Sequence, residues 1–212
     1  MITLFNALLI IHIICGTIGL LVGTYQLYAK KGDNTHKKLG NVFFYAMVTN
    51  ALVSLPLACI HPNYFLFIVG VFGVYMTLSG KRYLNKKTVS DVQTTDWFLS
   101  ILMFVFAMAF LVFGIYQLLQ KNNFGLILIA FGAIGTRFVY TDYLNFTGKS
   151  KIKNYWLTTH IQRMVGSYIV AVTAFLVINN TILPPLIAWL SPSFLLVPLI
   201  VFWSKKHKIM NK

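Results

Sequence analysis

Seven runs of mostly apolar residues, joined by short polar connections, take up nearly all of this 212-residue chain and leave it few folds to choose from. The runs cover 2–29, 41–60, 64–83, 97–120, 124–146, 155–178 and 185–203. A bilayer core takes about 20 residues of helix at about 1.5 Å each. Every backbone polar group inside that core must be satisfied within its own helix. The sequence therefore predicts an all-α fold, a polytopic transmembrane bundle of seven helices. It forms one domain over 1–204 and ends in a basic tail over 205–212. Apolar residues make up 58% of the chain and charged residues 10%, where soluble domains carry roughly a quarter charge. The longest connection, 84–96, is too short to fold into a catalytic domain. Any chemistry belongs inside the bundle or at its rims, and no reaction is assigned.

Charge supplies an independent count. Of the 18 Lys and Arg residues, 15 fall in alternate segments: after helix 1, after helix 3, after helix 5, and in the tail. The opposite set of connections holds Lys121 alone, and the last two cations, Arg137 and Arg163, lie inside spans. The positive-inside rule then predicts an N-outside, C-inside topology. One helix more or fewer would destroy the alternation. The net charge of +14 sits in clusters between apolar runs, which points to anionic lipid headgroups and away from nucleic acid. Trp97, Trp156, Trp189 and Trp203 stand near the ends of their helices, as interfacial anchors do.

Helix 1 places His12, Gly16, Gly19, Gly23 and Gln26 at spacings of four, three, four and three, so all five share one face. That stripe is expected to face protein, with glycine allowing close helix packing. His12, deep in the span, is read either as a hydrogen-bonded packing residue or as a ligand or proton-transfer group. Helix 7 is interrupted by Ser191, Pro192 and Pro198, and a kink or a break is expected there. Cys15 and Cys59 lie at depths too different for a disulfide, so both are read as free packing residues.

A second group of polar residues falls on helices 5 and 6: Arg137, Asp142, His160 and Arg163. His160, Arg163 and Ser167 share a face that should meet helix 5. Arg137 and Asp142 are about 140° apart around their helix and cannot pair comfortably. Both arginines fall about 12–14 Å deep, one carboxylate cannot neutralise two buried guanidinium groups, and the surplus cation calls for an anion such as a lipid phosphate, a carboxylate substrate or a cofactor propionate. The structural alternative pairs Arg163 with Asp142 and lets Arg137 snorkel. His36 falls just before the expected start of helix 2, in a turn capped by Asn34 or Thr35. No Glu, Walker, GxSxG or HExxH motif occurs, and no Cys/His cluster has zinc spacing.

Taken together, His12-x3-Gly16, His36-x3-Gly40, His160-x2-Arg163-Met164, Ala174-Phe175-Leu176-Val177 and Trp189-Leu190-x-Pro192 give a pattern that resembles a family of uncharacterised bacterial multi-pass membrane proteins. The resemblance implies a location in the bacterial inner membrane and assigns no activity. The histidine-bearing positions are also similar to those of small membrane cytochromes. Three readings follow. The first is binding or transport of an anionic small molecule or lipid headgroup through Arg137, Asp142, His160 and Arg163, with His12 a further ligand candidate. The second is a structural or accessory subunit, working with a membrane partner or as a homo-oligomer. The third is a redox protein with haem b held by His36 and His160, the histidines at similar depth.

Overall fold

The computed structural model describes residues 2–206. It is all-helical across the membrane spans: α1 (Ile2–Tyr28), α2 (Asn34–Ile60), α3 (Tyr64–Tyr83), α4 (Thr94–Leu119), α5 (Phe124–Phe146), α6 (Tyr155–Asn179) and α7 (Pro185–Lys206). A single 3₁₀ turn, Val89–Asp91, interrupts the connection between α3 and α4. Seven helices among the described residues are long and apolar enough to cross a membrane, so the chain is an integral, multi-pass membrane protein in architecture. Most of the basic tail, including His207, Lys208 and Lys212, lies outside the described residues.

Two helix starts differ from the sequence expectation, each for a local reason, and the break expected in helix 7 is absent. α2 starts at Asn34, a full two turns before its apolar run, because Asp33 caps it: the Asp33 carboxylate accepts from the His36 N–H at 2.7 Å. His36 is therefore a first-turn helical residue and not part of a solvated turn, and the cap is neither Asn34 nor Thr35. α4 starts at Thr94 through a reciprocal cap, with the Gln93 N–H donating to Asp96 Oδ2 at 2.9 Å. α7 runs unbroken past Pro192 and Pro198.

The described residues form two compact units, one of 2–81 with 160–206 and the other of 82–159. In the first, the small-residue stripe of α1 faces protein as expected. A Cβ on Gly16 would meet the Asn50 side chain at 3.1 Å, and one on Gly19 would strike Met47 Sδ at 2.7 Å. Phe43, Met47 and Tyr168 form the buried cluster beside it, and the Tyr168 hydroxyl shares a 2.6 Å hydrogen bond with Thr24. Ile10, Ile14 and Leu21 on the other side of α1 are exposed, as lipid-facing residues are.

In the second unit α4 and α5 form a tight hairpin. A Cβ on Gly114 would lie 2.9 Å from the Gly125 carbonyl, so a larger residue would push the two backbones apart. At its basic end Phe146 is buried between Tyr83 (stacked, 5.9 Å) and Trp97 (edge-on, 5.2 Å). Trp97 thus packs within the protein as well as marking the end of a span. Cys15 and Cys59 are both free.

Candidate functional site: an imidazole pair in the first unit

His36 is brought into position by two helices. The Asp33 cap begins α2 early enough to put His36 in its first turn, and Gln26 reaches it from the last turns of α1. The contact is two-sided. His36 Nδ1 bonds Gln26 Oε1 at 2.8 Å, while Gln26 Nε2 donates to the His36 carbonyl at 2.9 Å. His160, in the second turn of α6, bonds the Gly80 carbonyl of α3 through Nδ1 at 2.8 Å. Gly80 is required for that approach, since a Cβ there would lie 2.8 Å from Arg163 Cβ on α6. His36 and Lys81 both lie within electrostatic reach of His160.

The chemical consequence follows from the partners. A carbonyl oxygen only accepts, so the ring nitrogen facing it carries the proton. His36 and His160 are both fixed as Nδ1–H tautomers, and the lone pair is left on Nε2. Neither Nε2 takes part in a hydrogen bond with the described residues. An imidazole that donates one N–H to a carbonyl and keeps the other nitrogen basic has the form of a metal-ligating histidine with its supporting partner in place. Both rings are partly buried.

The other expected site residues fall elsewhere. His12 shares the same tautomer logic, with Nδ1 3.2 Å from the Asn50 carbonyl, but it lies about 20 Å from His36 when measured along α2 through Asn50. Arg163 is 1% exposed, and its guanidinium sits over the Tyr75 ring at 4.5 Å in a cation–π contact. Asp142 is fully buried and accepts from the Tyr83 hydroxyl and the Ser100 hydroxyl, each at 2.7 Å. Asn145 Nδ2 extends this network to Tyr83 Oη and Thr159 Oγ1, both at 3.2 Å. Arg137 stands apart from Asp142: it is exposed, and its Nη1 reaches only Thr141 Oγ1, at 3.3 Å. The layer of two buried guanidinium groups expected from the sequence does not form, and the surplus-charge argument for an anion inside the bundle loses its premise.

One polar cluster was not anticipated. Lys86 is 2% exposed, 2.8 Å from Asp96, and lies over the rings of Tyr83 and Phe146. Burial pulls its ammonium below the usual lysine range, and the Asp96 carboxylate opposes that shift. Arg82 Nε joins the same carboxylate at 2.5 Å. The cluster borders a polar cavity of about 300 Å³, but its donors are already turned on Asp96 and Gln93. The available signal was Gln93-x2-Asp96, the spacing of a helix cap, which would have drawn Asp96 into α4.

No protein family, curated protein or solved structure matches the chain. The likeness to uncharacterised bacterial membrane proteins therefore rests on the short motifs alone.

Proposed function

We propose that this integral membrane protein is a haem-binding redox protein in which His36 and His160 would hold one b-type haem. The observation that carries the reading is the pair of hydrogen bonds: two imidazoles within electrostatic reach of each other, each tied through Nδ1 to a carbonyl oxygen, with neither Nε2 bonded to the described residues. The donor set discriminates between classes of metal centre. Among the described residues no three His, Cys, Asp or Glu side chains are grouped as for a metal ion, so a bare ion would find too few protein ligands. A metalloporphyrin brings its own equatorial nitrogens and asks the protein for axial ligands only.

Bound there, haem would supply one-electron transfer. The chain's own residues do the rest: Gln26 and the Gly80 carbonyl orient the rings and raise the basicity of Nε2, and the apolar helices exclude water. Lys81, whose ammonium donates to Asn41 Oδ1, lies within electrostatic reach of His160 as a cation suited to a carboxylate edge. With the lysine-rich connections in the cytoplasm, as the sequence predicts, the pair lies in the inner half of the membrane.

The test is an absorption spectrum of the protein purified after expression with haem precursors, and again after addition of hemin. A Soret band in the wild type that is lost in both His36→Ala and His160→Ala supports the reading. A wild type that stays colourless after hemin addition rejects it.

A further inference from the structure

We propose that Arg137, on the outer surface of α5, holds the phosphate of an anionic membrane phospholipid. Arg137 lies about 13 Å in from Phe146, the end of α5 nearest the lysine-rich connection 149–153. It is exposed on a helix whose other exposed large residues, Leu126, Ile134, Tyr140 and Tyr143, are those of a lipid-facing side. A guanidinium has five N–H donors, and hydrocarbon offers acceptors for none of them. Thr141 Oγ1 takes one at 3.3 Å, having already given its own proton to the Arg137 carbonyl at 2.9 Å. The rest of the fork meets no acceptor among the described residues.

Its direction is informative. Thr141 and Tyr140, whose ring lies 5.9 Å from Arg137 Cζ, are both toward the basic end of the helix, so the side chain climbs toward the headgroups. The route continues in polar steps: Tyr143 is exposed, and its hydroxyl accepts from Lys149 Nζ at 2.9 Å. That bond holds the Lys149 ammonium above its usual range, so the rim keeps its positive charge. A phosphate drawn down to the guanidinium would gain a bidentate, charge-assisted contact below and a second cation above.

A second copy of the chain is a poor occupant. Its acidic residues are Asp33, Asp91, Asp96 and Asp142. Asp33 caps α2, Asp91 is bonded to Thr88, Asp96 is shared by Arg82 and Lys86, and Asp142 is buried. Each carboxylate side chain among the described residues already has a local partner, and two chains of net charge +14 repel.

The experiment is native mass spectrometry of the wild type, Arg137→Gln and Arg137→Lys, each titrated with phosphatidylglycerol or phosphatidylcholine in the same detergent. The wild type should bind phosphatidylglycerol at least about tenfold more tightly than phosphatidylcholine, the preference expected of a charge-assisted fork. Arg137→Gln should lose that preference at unchanged melting temperature, and Arg137→Lys should retain part of it. Millimolar inorganic phosphate should leave lipid binding unchanged, whereas displacement by phosphate would show a site for the free ion and overturn the proposal. Equal lipid selectivity in wild type and Arg137→Gln would overturn it too, as would conversion of an oligomer to a monomer by Arg137→Gln in phosphatidylcholine alone, which would assign the residue to a protein contact. Haem content does not enter any of these readouts.

Discussion

Two polar centres of this protein use their hydrogen-bonding capacity in opposite ways. Around Asp142 each group is turned on another: Tyr83 and Ser100 donate to the carboxyl, and Asn145 donates to Tyr83 and Thr159. Around His36 and His160, Gln26 and Gly80 fix one nitrogen of each ring and leave the other unspent. A closed network rigidifies a bundle and binds nothing, whereas a site holds some capacity in reserve while locking the geometry of what remains. The same criterion separates the two arginines inside spans. Arg163 is enclosed over Tyr75, and Arg137 is presented at the surface with most of its donors unused.

The largest effect is expected at Asp142. Replacing it by alanine leaves the Tyr83 and Ser100 hydroxyls buried without their acceptor, at a cost of about 3 kcal/mol or more. Asp142→Ala should therefore sharply lower the melting temperature in detergent, while His36→Ala should shift it far less. Near-equal shifts would mean that the imidazole pair is as structural as the Asp142 network. A smaller but double effect is expected of Gly80→Leu. Overpacking against Arg163 and Met164 should cost about 1–3 kcal/mol, and the displaced Gly80 carbonyl would release His160. Haem retention should then fall even in the fraction that remains folded, as measured by heme-to-protein ratio after gel filtration.

On α1, Gly19→Leu should lower the melting temperature, and Leu21→Phe, at a position 67% exposed, should leave it unchanged. Equal melting of the two would contradict the packing of the glycine stripe. The smallest effect belongs to Gln26→Ala, which removes the support of His36 and leaves the ligand. It should weaken haem affinity roughly tenfold with little change in fold, measured by hemin titration.

Much of this architecture was legible in the sequence, because a membrane span announces itself by length and hydropathy and the lysine clusters punctuate the same seven segments. The α1 stripe was legible for a similar reason, since three-and-four spacing fixes a face. The early start of α2 was hidden: Thr35, Lys37 and Lys38 look like loop residues to any reading by hydropathy, and the Asp33 cap that overrides them is one local side-chain hydrogen bond. That shift is what carried His36 from a turn into a helix beside His160. The direction of Arg137 could not be read at all, because spacing places Arg137 and Asp142 on different faces of α5 without saying which face is covered. The partner atoms of His36 and His160, a glutamine side chain and a glycine carbonyl, leave no motif.

The central claim is that both imidazoles serve one iron, and electron paramagnetic resonance of the oxidised, hemin-loaded protein tests it most directly. Two histidine ligands predict a low-spin ferric signal in the wild type and its conversion to a high-spin signal in His36→Ala and in His160→Ala alike, since each variant leaves one axial position to water or vacancy. A high-spin wild type, or a low-spin signal that survives the loss of either histidine, would contradict the account.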